Sequence, residues 1–471
     1  MAGSDRTTTR ALTGAFGATI LLAMGVSTPV IAQVPPAPLT TTAVPSAPIA
    51  DGFTLALAGD IIYLRPMLAT LERQAPDILQ VLRGADATFG NFETTAIDLT
   101  RFKGSPQAES GGTWLFAAPS TVNDIAAMGF DILSHANNHA TDWGAEGLAE
   151  TLDHLDANKL VHAGTGATMT AARAPRYLDT AHGRIGLVAA ATSFTPMSRA
   201  ADPQGEVPGR PGVNAIRSIR AGVVSPENLR MLAGIAGSDP AKPVTLMGNR
   251  YIGREGAPAK LSYSYEINEK DQQANMTAVR QAHQNGNLAI FSLHHHEPGN
   301  ESEEPADFAQ PMAHKMVDSG ADVVVGHGPH QLRGIEIYKG KVIFYSLGNF
   351  AMMNNSLDQL PADVFDQFSV DPGATTVPEL LQSRNTRSFS DPRFYEAVVA
   401  KITYAGGKAS EVRLLAIELG VELAGAARGV PRTASRKIGQ RILERLQRLS
   451  AVYGTKMAIE NGVGIIRLPA N

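Results

Sequence analysis

From Phe53 onward the chain repeats one pattern: a short apolar run stops abruptly at a polar cluster, and a stretch with helical periodicity follows. "FTLALAGD", "ATFGNFE", "DILSHANNH", "GRIGLVAAATSF", "NLAIFSLHHHE" and "ADVVVGHGPH" read as strands. "RPMLATLERQAPDILQVLRGAD", interrupted at Pro76, reads as helix, and so does "WGAEGLAETLDHLDAN", with Leu148, Leu152 and Leu155 at i, i+4 and i+7. "MTAVRQAHQNG" and "FAQPMAHKMVDSG" are further helices. Strands alternating with helices predict a layered α/β domain, in which ligands sit beyond the strand ends where loops converge. "GIEIYKGKVIFYSLGNF" predicts a hairpin turning at Lys339-Gly340. Residues 197–250 are Pro/Gly-rich with weak periodicity and read as an insertion or lid, and residues 352–390 read as loop. Beyond them, "YEAVVAKITYAGG", "SEVRLLAIELG" and the amphipathic "ASRKIGQRILERLQRLSAVYG" predict two strands and a helix. Residues 351–471 are therefore expected to pack on the 53–350 domain.

Composition narrows the chemistry. With 44% apolar residues in 471, a sizeable core is expected. A net charge of −4 and no long basic run argue against nucleic acid as the main partner. The absence of cysteine removes disulfides, thiolate zinc sites and thiol catalysis. Arg6 and Arg10, the apolar "ALTGAFGATILLAMGV", and Val30-Ile31-Ala32 before Gln33 read as a signal peptide over 1–32, predicting a secreted or periplasmic protein. An uncleaved membrane anchor is the alternative, although this run of 16 residues is short of the roughly 20 a span needs. Residues 33–52, rich in Pro, Thr and Ala, read as a flexible linker.

Five strands end in metal-ligating chemistry: at Asp60, at Asn91 and Glu93, at Asn137 to His139, at His294 to Glu297, and at His327 and His330. Seven of the twelve histidines fall in the last three of these segments, "SHANNH", "HHHE" and "GHGPH". Histidines gathered at strand ends predict a metal site. Carboxylate, amide and imidazole donors without sulfur suit Mn, Fe, Zn or Mg, and their number allows one or two ions. Strand alternation sends His294 and His296 to one side and His295 to the other, toward solvent. His327 and His330 bracket a Gly-Pro turn that aims both inward. Asn137 is expected to hold the loop backbone, and His135 to be packed within its strand. Arg65 and Arg333 are candidates to grip an anionic substrate bidentately. Asn349 either closes a turn or touches substrate.

Several of these motifs, in order, resemble the CapA family of capsule synthesis proteins: "AGDIIYLRP", "GNFE", "ANNHATDWG", "LHHHEPGN" and, closest of all, "GHGPHQLRGIEIYKGKVIFYSLGNF". The resemblance covers roughly Phe53 to Phe350 without the insertion. It implies a four-layer α/β/β/α sandwich related to the calcineurin-like metallophosphatases. It further implies that Asp60 and His330 hold one ion and Asn138, His294 and His327 another, with Glu93 between them. His139 is implied to protonate a leaving group, oriented by Asp142. The wider metallophosphatase pattern has a histidine where this chain has Ile62, and Gly-Asp-x-x-Asp where it has Gly-Asn-x-Glu, which leaves the first pocket short of donors. The activity implied is metal-assisted hydrolysis of a phosphoester or amide in the handling of poly-γ-glutamate or a related anionic cell-surface polymer, in company with a membrane synthase complex. The alternative is a non-catalytic polymer-binding or assembly component.

Overall fold

The computed structural model describes residues 46–257 and 262–469. The expected signal peptide, and the linker up to residue 45, lie outside the described residues. Four strands, Thr54–Ile62, Ala87–Phe92, Ile132–Ser134 and Val161–Ala163, pair in parallel in that order and form one end of a ten-stranded sheet. A second sheet of six strands has Gly183–Ala191, Leu288–His294, Val323–His327 and Lys341–Leu347 in parallel, with antiparallel strands at both edges.

Alternation along each strand builds the layers. Leu55, Leu57 and Phe89 of the first sheet face Leu187, Ile290, Val325 and Phe344 of the second, and all are buried in one inter-sheet core. Burying each such side chain contributes roughly 1.5–3 kcal/mol. The opposite face of the first sheet, with Phe92 and Leu133, takes Leu79, Ile125 and Leu155 from helices Pro76–Arg83, Ser120–Ala127 and Gly144–Ala157. The opposite face of the second sheet, with Val188 and Phe291, takes Val279 and Met312 from helices Glu269–Asn285 and Ala309–Asp318. The result is an α/β/β/α sandwich. No helix among the described residues is long and apolar enough to cross a membrane.

The hairpin at Lys339-Gly340 is present, with φ of 51° and 75° at its two central residues and Leu332–Tyr338 antiparallel to Lys341–Leu347. Past its second strand the chain crosses between the sheets: Asn349–Met352 pairs in parallel with Thr54–Ile62, setting Asn349 opposite Asp60. The crossing needs glycine at residue 59, where a Cβ would lie 1.8 Å from the Gly348 carbonyl oxygen. C-terminal strands Glu396–Ala405, Lys408–Glu418 and Val463–Arg467 extend the first sheet, and helix Arg436–Ala451 sends Ile442, Leu443 and Leu446 into the inter-sheet core.

Two segments differ from expectation. Within and just beyond 197–250, strands Ser218–Val224, Val244–Leu246, Asn249–Gly253 and Ser262–Ile267 form a separate four-stranded sheet, and Pro226–Ala236 is a helix capped by Ser225. These strands are short and half-exposed, so their alternation is faint in the sequence. The 352–390 stretch is not simply loop: it contains helices Ala362–Gln367 and Val377–Ser388. The second begins with a capping box between Thr376 and Glu379, a signal legible in "TVPE".

Candidate metal centre

Register assembles the site. In the first sheet Asp60 sits opposite Asn91, and in the second His294 sits opposite His327, so the carboxylate and imidazole donors reach the same end of the sandwich. Asp60 is fully buried. Its Oδ1 accepts from Asn91 Nδ2 at 2.8 Å and its Oδ2 from the Gly328 backbone N–H at 3.1 Å. The pairing shifts between Leu57 and Asp60, an irregularity of the kind that re-aims side chains near functional sites.

Around Asp60 stand His327, with Nδ1 3.6 Å from Oδ1, and His330, with Nδ1 3.7 Å from Oδ2. His294 Nε2 lies 3.8 Å from Glu93 Oε1 and 3.1 Å from His296 Nε2. Two donor sets, Asp60/Glu93/His330 and Glu93/His294/His296, each have their ligand atoms within 4.8 Å of one another, and Glu93 belongs to both. Asn138 donates from Nδ2 to the Gly111 carbonyl at 2.7 Å. Among the described residues, both Glu93 oxygens, Asn138 Oδ1 and both ring nitrogens of His327 are buried without a hydrogen-bond partner. Leaving such a group unpaired costs roughly 1–3 kcal/mol each, more for a charge. Orphaned oxygen and nitrogen donors gathered in one place fit a divalent cation.

Electrostatics favour the same occupant. Burial raises Asp60 to about 6 and drives Glu93 well above the usual carboxylate range, with Asp60 adding to the effect. Burial lowers His296 to about 4 and His327 to about 3, and holds His294 and His330 well below the ordinary imidazole value. Imidazoles kept neutral offer lone pairs, and the two crowded carboxyls ionise readily only beside a positive charge.

A cavity of about 320 Å³ opens onto this cluster, with Asn138, His139, His296, His330 and Arg384 on its walls. His139 Nδ1 is 2.6 Å from Asp142 Oδ2, and that carboxylate also accepts the backbone N–H of Gly111 at 3.0 Å and of Leu115 at 2.8 Å. Asp142 thus holds the proton on His139 Nδ1 and leaves Nε2 to work. Asn137 clamps the loop, accepting from the His139 N–H at 3.2 Å and donating to the Phe92 carbonyl at 2.8 Å.

Not every expectation survives in place. The resemblance groups His327 with His294; the structure puts His296 beside His294 and Glu93, and His327 against Asp60. Arg65 is off the cavity wall, bound to the Ser356 hydroxyl and the Ala426 carbonyl. Arg333 is buried, donating to the Ser302 and Gly299 carbonyls at 3.3 Å each, where it ties down the loop after the histidine triplet rather than facing a substrate. Asn349 does not reach the cavity either. Its Oδ1 pairs with His330 Nδ1 at 2.9 Å, and its Nδ2 donates to the His330 and Phe394 carbonyls at 3.0 and 2.9 Å. His295 is buried against Phe308, not solvated. Arg384 and Asn300, which bonds His296 Nδ1 at 2.7 Å, went unnoticed in the sequence; the first lies in the stretch read as loop.

Two of these observations lead to predictions. His330 sits at φ 57°, a left-handed conformation that must be held from outside. Asn349→Ala removes four buried hydrogen bonds, the fourth to Met352 Sδ at 3.3 Å, and should cost roughly 2–4 kcal/mol in chemical unfolding, with about a tenfold or greater loss of metal affinity by titration. His135 is buried between Thr165 and the Thr94 carbonyl and stacked on Phe92. Burial lowers its pKa from 6.5 to about 4. The unfolded chain therefore takes up the proton first, and the stability this group contributes above pH 6.5 is lost as pH falls toward 4. Between pH 7 and 5 the loss is about 2 kcal/mol. His135→Gln, neutral throughout, should be less stable at pH 7 but lose about 2 kcal/mol less than the wild-type chain in urea unfolding at pH 5.

Fold and pocket together define a two-sheet α/β/β/α protein with carboxylate, amide and imidazole groups converging at its strand ends. The chain belongs to the bacterial capsule synthesis protein PGA_cap family, whose model matches residues 54–354. It is 44% identical over 438 residues to an uncharacterized protein of Sinorhizobium fredii, covering 89% of this chain and 94% of that one. It is 26% identical over 305 residues to the capsule biosynthesis protein CapA of Bacillus anthracis, covering 64% of this chain and 60% of that protein. To the PGA biosynthesis protein CapA of Bacillus subtilis it is 25% identical, covering 64% and 63%. Among solved structures it is similar to a phosphatase of Mycoplasma pneumoniae, with 10% identity, a TM-score of 0.39, and coverage of 78% of this chain and 94% of that one.

Proposed function

We propose that this chain is an exported, metal-dependent hydrolase that acts on a phosphoester or amide of an anionic cell-surface polymer of the poly-γ-glutamate or capsule type. The observation that carries the reading is the sharing of one cavity by a donor cluster with orphaned oxygens, Glu93 and Asn138, and an imidazole already oriented by a carboxylate, His139 with Asp142. Asp60, Glu93, Asn138, His294, His296, His327 and His330 are the residues to hold one or two ions. A divalent cation held there supplies positive charge that polarises the scissile group and eases the ionisation of water. The chain's own part is positioning and proton transfer. His139 Nε2 stands on the cavity wall to give a proton to the departing oxygen or nitrogen, and Asp142 stabilises the charge on the ring as it cycles. Capsule biosynthesis and PGA biosynthesis, named for the two Bacillus relatives, support the polymer class, and the charged, apolar and small-residue order of the N-terminus supports export. A membrane synthase complex is the partner this setting implies.

The test is metal analysis of the purified protein, together with turnover of a chromogenic phosphodiester and of γ-linked glutamate polymer. Wild-type protein should carry Mn, Fe, Zn or Mg and turn over one of the two. His294→Ala should lose metal and turnover together. Metal retained with no turnover of either substrate would instead make the chain a polymer-binding or assembly component.

A further inference from the structure

One guanidinium on the cavity wall has no acid to pair with. Arg384 belongs to helix Val377–Ser388, outside the 54–354 stretch that the family model matches. Only 8% of the residue is exposed, yet among the described residues no carboxylate lies within ion-pair distance of it. Its one hydrogen bond runs from Nη1 to the side-chain oxygen of the next residue, Asn385, at 3.2 Å. Its guanidinium carbon rests 5.1 Å from the centre of the Phe389 ring, and that ring is 5.9 Å from the ring of His330. Arg384 therefore stands one aromatic ring away from the donor cluster and shares the cavity with His139.

The other buried arginines behave differently. Arg333 gives Nε and Nη2 to two backbone carbonyls, although its Nη1 has no partner among the described residues, and Arg445 lies 3.2 Å from Glu396. A buried cation is normally paired because desolvation is expensive. Burial lowers Arg384 only to about 10, so it stays charged at neutral pH. Phe389 covers one face by cation–π contact but offers no acceptor, and the edge of a guanidinium seeks oxygen atoms in its own plane. The missing partner has to come from the cavity.

We propose that Arg384 is the specificity-determining residue of this cavity, receiving an oxyanion of the substrate, carboxylate or phosphate, and presenting the adjoining bond to His139. The proposal rests on the reading of this cavity as the reaction site, and it is tested by binding rather than turnover. Isothermal titration of the metal-loaded protein with inorganic phosphate and, separately, with glutarate compares wild type, Arg384→Met and Arg384→Lys. Metal content verifies that each variant keeps its site. Arg384→Met should weaken binding ten- to hundredfold, the range for a charge-assisted hydrogen-bonded pair. Arg384→Lys, which keeps the charge but not the fork, should recover part of the loss. The probe more affected identifies the group recognised. Equal affinity in wild type and Arg384→Met for both probes overturns the proposal, as does a wild type that binds neither. Arg384-dependent binding in a protein without turnover removes the hydrolase reading and leaves this one standing. Turnover with Arg384-independent binding does the reverse.

Discussion

Glu93→Gln is expected to abolish stable metal binding while leaving the metal-free fold about as stable as the wild type. Glu93 is the one residue common to both donor sets, and among the described residues neither of its oxygens has a hydrogen-bond partner. Its burial beside Asp60 holds it well above the usual carboxylate range, so the charged form is tolerated only with a cation nearby. Glutamine has nearly the same shape, carries no charge and removes the repulsion with Asp60. The metal-free variant should therefore unfold within about 1 kcal/mol of the chelated wild-type protein, or later, since an uncompensated buried charge helps no fold. The loaded proteins should differ sharply. A ligand present at a hundred to a thousand times its dissociation constant stabilises by roughly 2.7–4.1 kcal/mol. The wild type should lose an increment of that order on chelation, and the variant less than about 1 kcal/mol. Thermal melts with and without chelator, read beside metal analysis, check both halves. A variant that keeps its full metal complement would show that Glu93 is a structural carboxylate.

His139→Ala should leave the metal in place and reduce kcat by about 10²–10⁴, the usual contribution of a positioned acid or base. His139 is in neither donor set, and its Nδ1 is committed to Asp142, so the truncation leaves the donor cluster intact. Asp142→Asn tests the same pair from behind. The Asp142 carboxylate accepts from His139 and from two backbone N–H groups, a purely acceptor role. An amide brings an N–H₂ that must face one of those donors, so the ring is released or held in the wrong tautomer. A kcat 10- to 100-fold lower is expected, with KM little changed. Steady-state kinetics on whichever substrate is turned over, normalised to bound metal, separates these outcomes. Loss of metal in His139→Ala would move that residue from proton donor to ligand.

The strand ends were readable because each obeys a local rule. An apolar run that breaks into Asp, Asn or His identifies both a strand and its polar terminus, and parallel pairing brings such termini to one side. Asp60, Asn91 and Glu93 reach the site in that manner from one sheet, and His294 and His327 from the other. The hairpin at Lys339-Gly340 was equally local, a matter of two residues able to take positive φ. Arg384 obeys no such local rule: residues 352–390 read as loop, although Thr376 and Glu379 form a capping box.

His295 marks the limit of such reading. Alternation puts its side chain on the face away from His294 and His296, but whether water or protein lies there depends on Phe308 and the helix Ala309–Asp318 that follows it. Arg333 is a comparable case. Its motif suggests a hand for an anion, yet the backbone carbonyls of Gly299 and Ser302 lie over it and take two of its donors, Nη2 and Nε. The order of elements, the layered architecture and the residue types brought to the strand ends follow from periodicity and composition, which act over a few residues at a time. Which imidazole stands beside which carboxylate, and which guanidinium meets a carbonyl, an acid or an open cavity, is decided by contacts between segments far apart in the chain. Such contacts depend on how the two sheets and their covering loops settle together, and short-range chemistry carries no record of that.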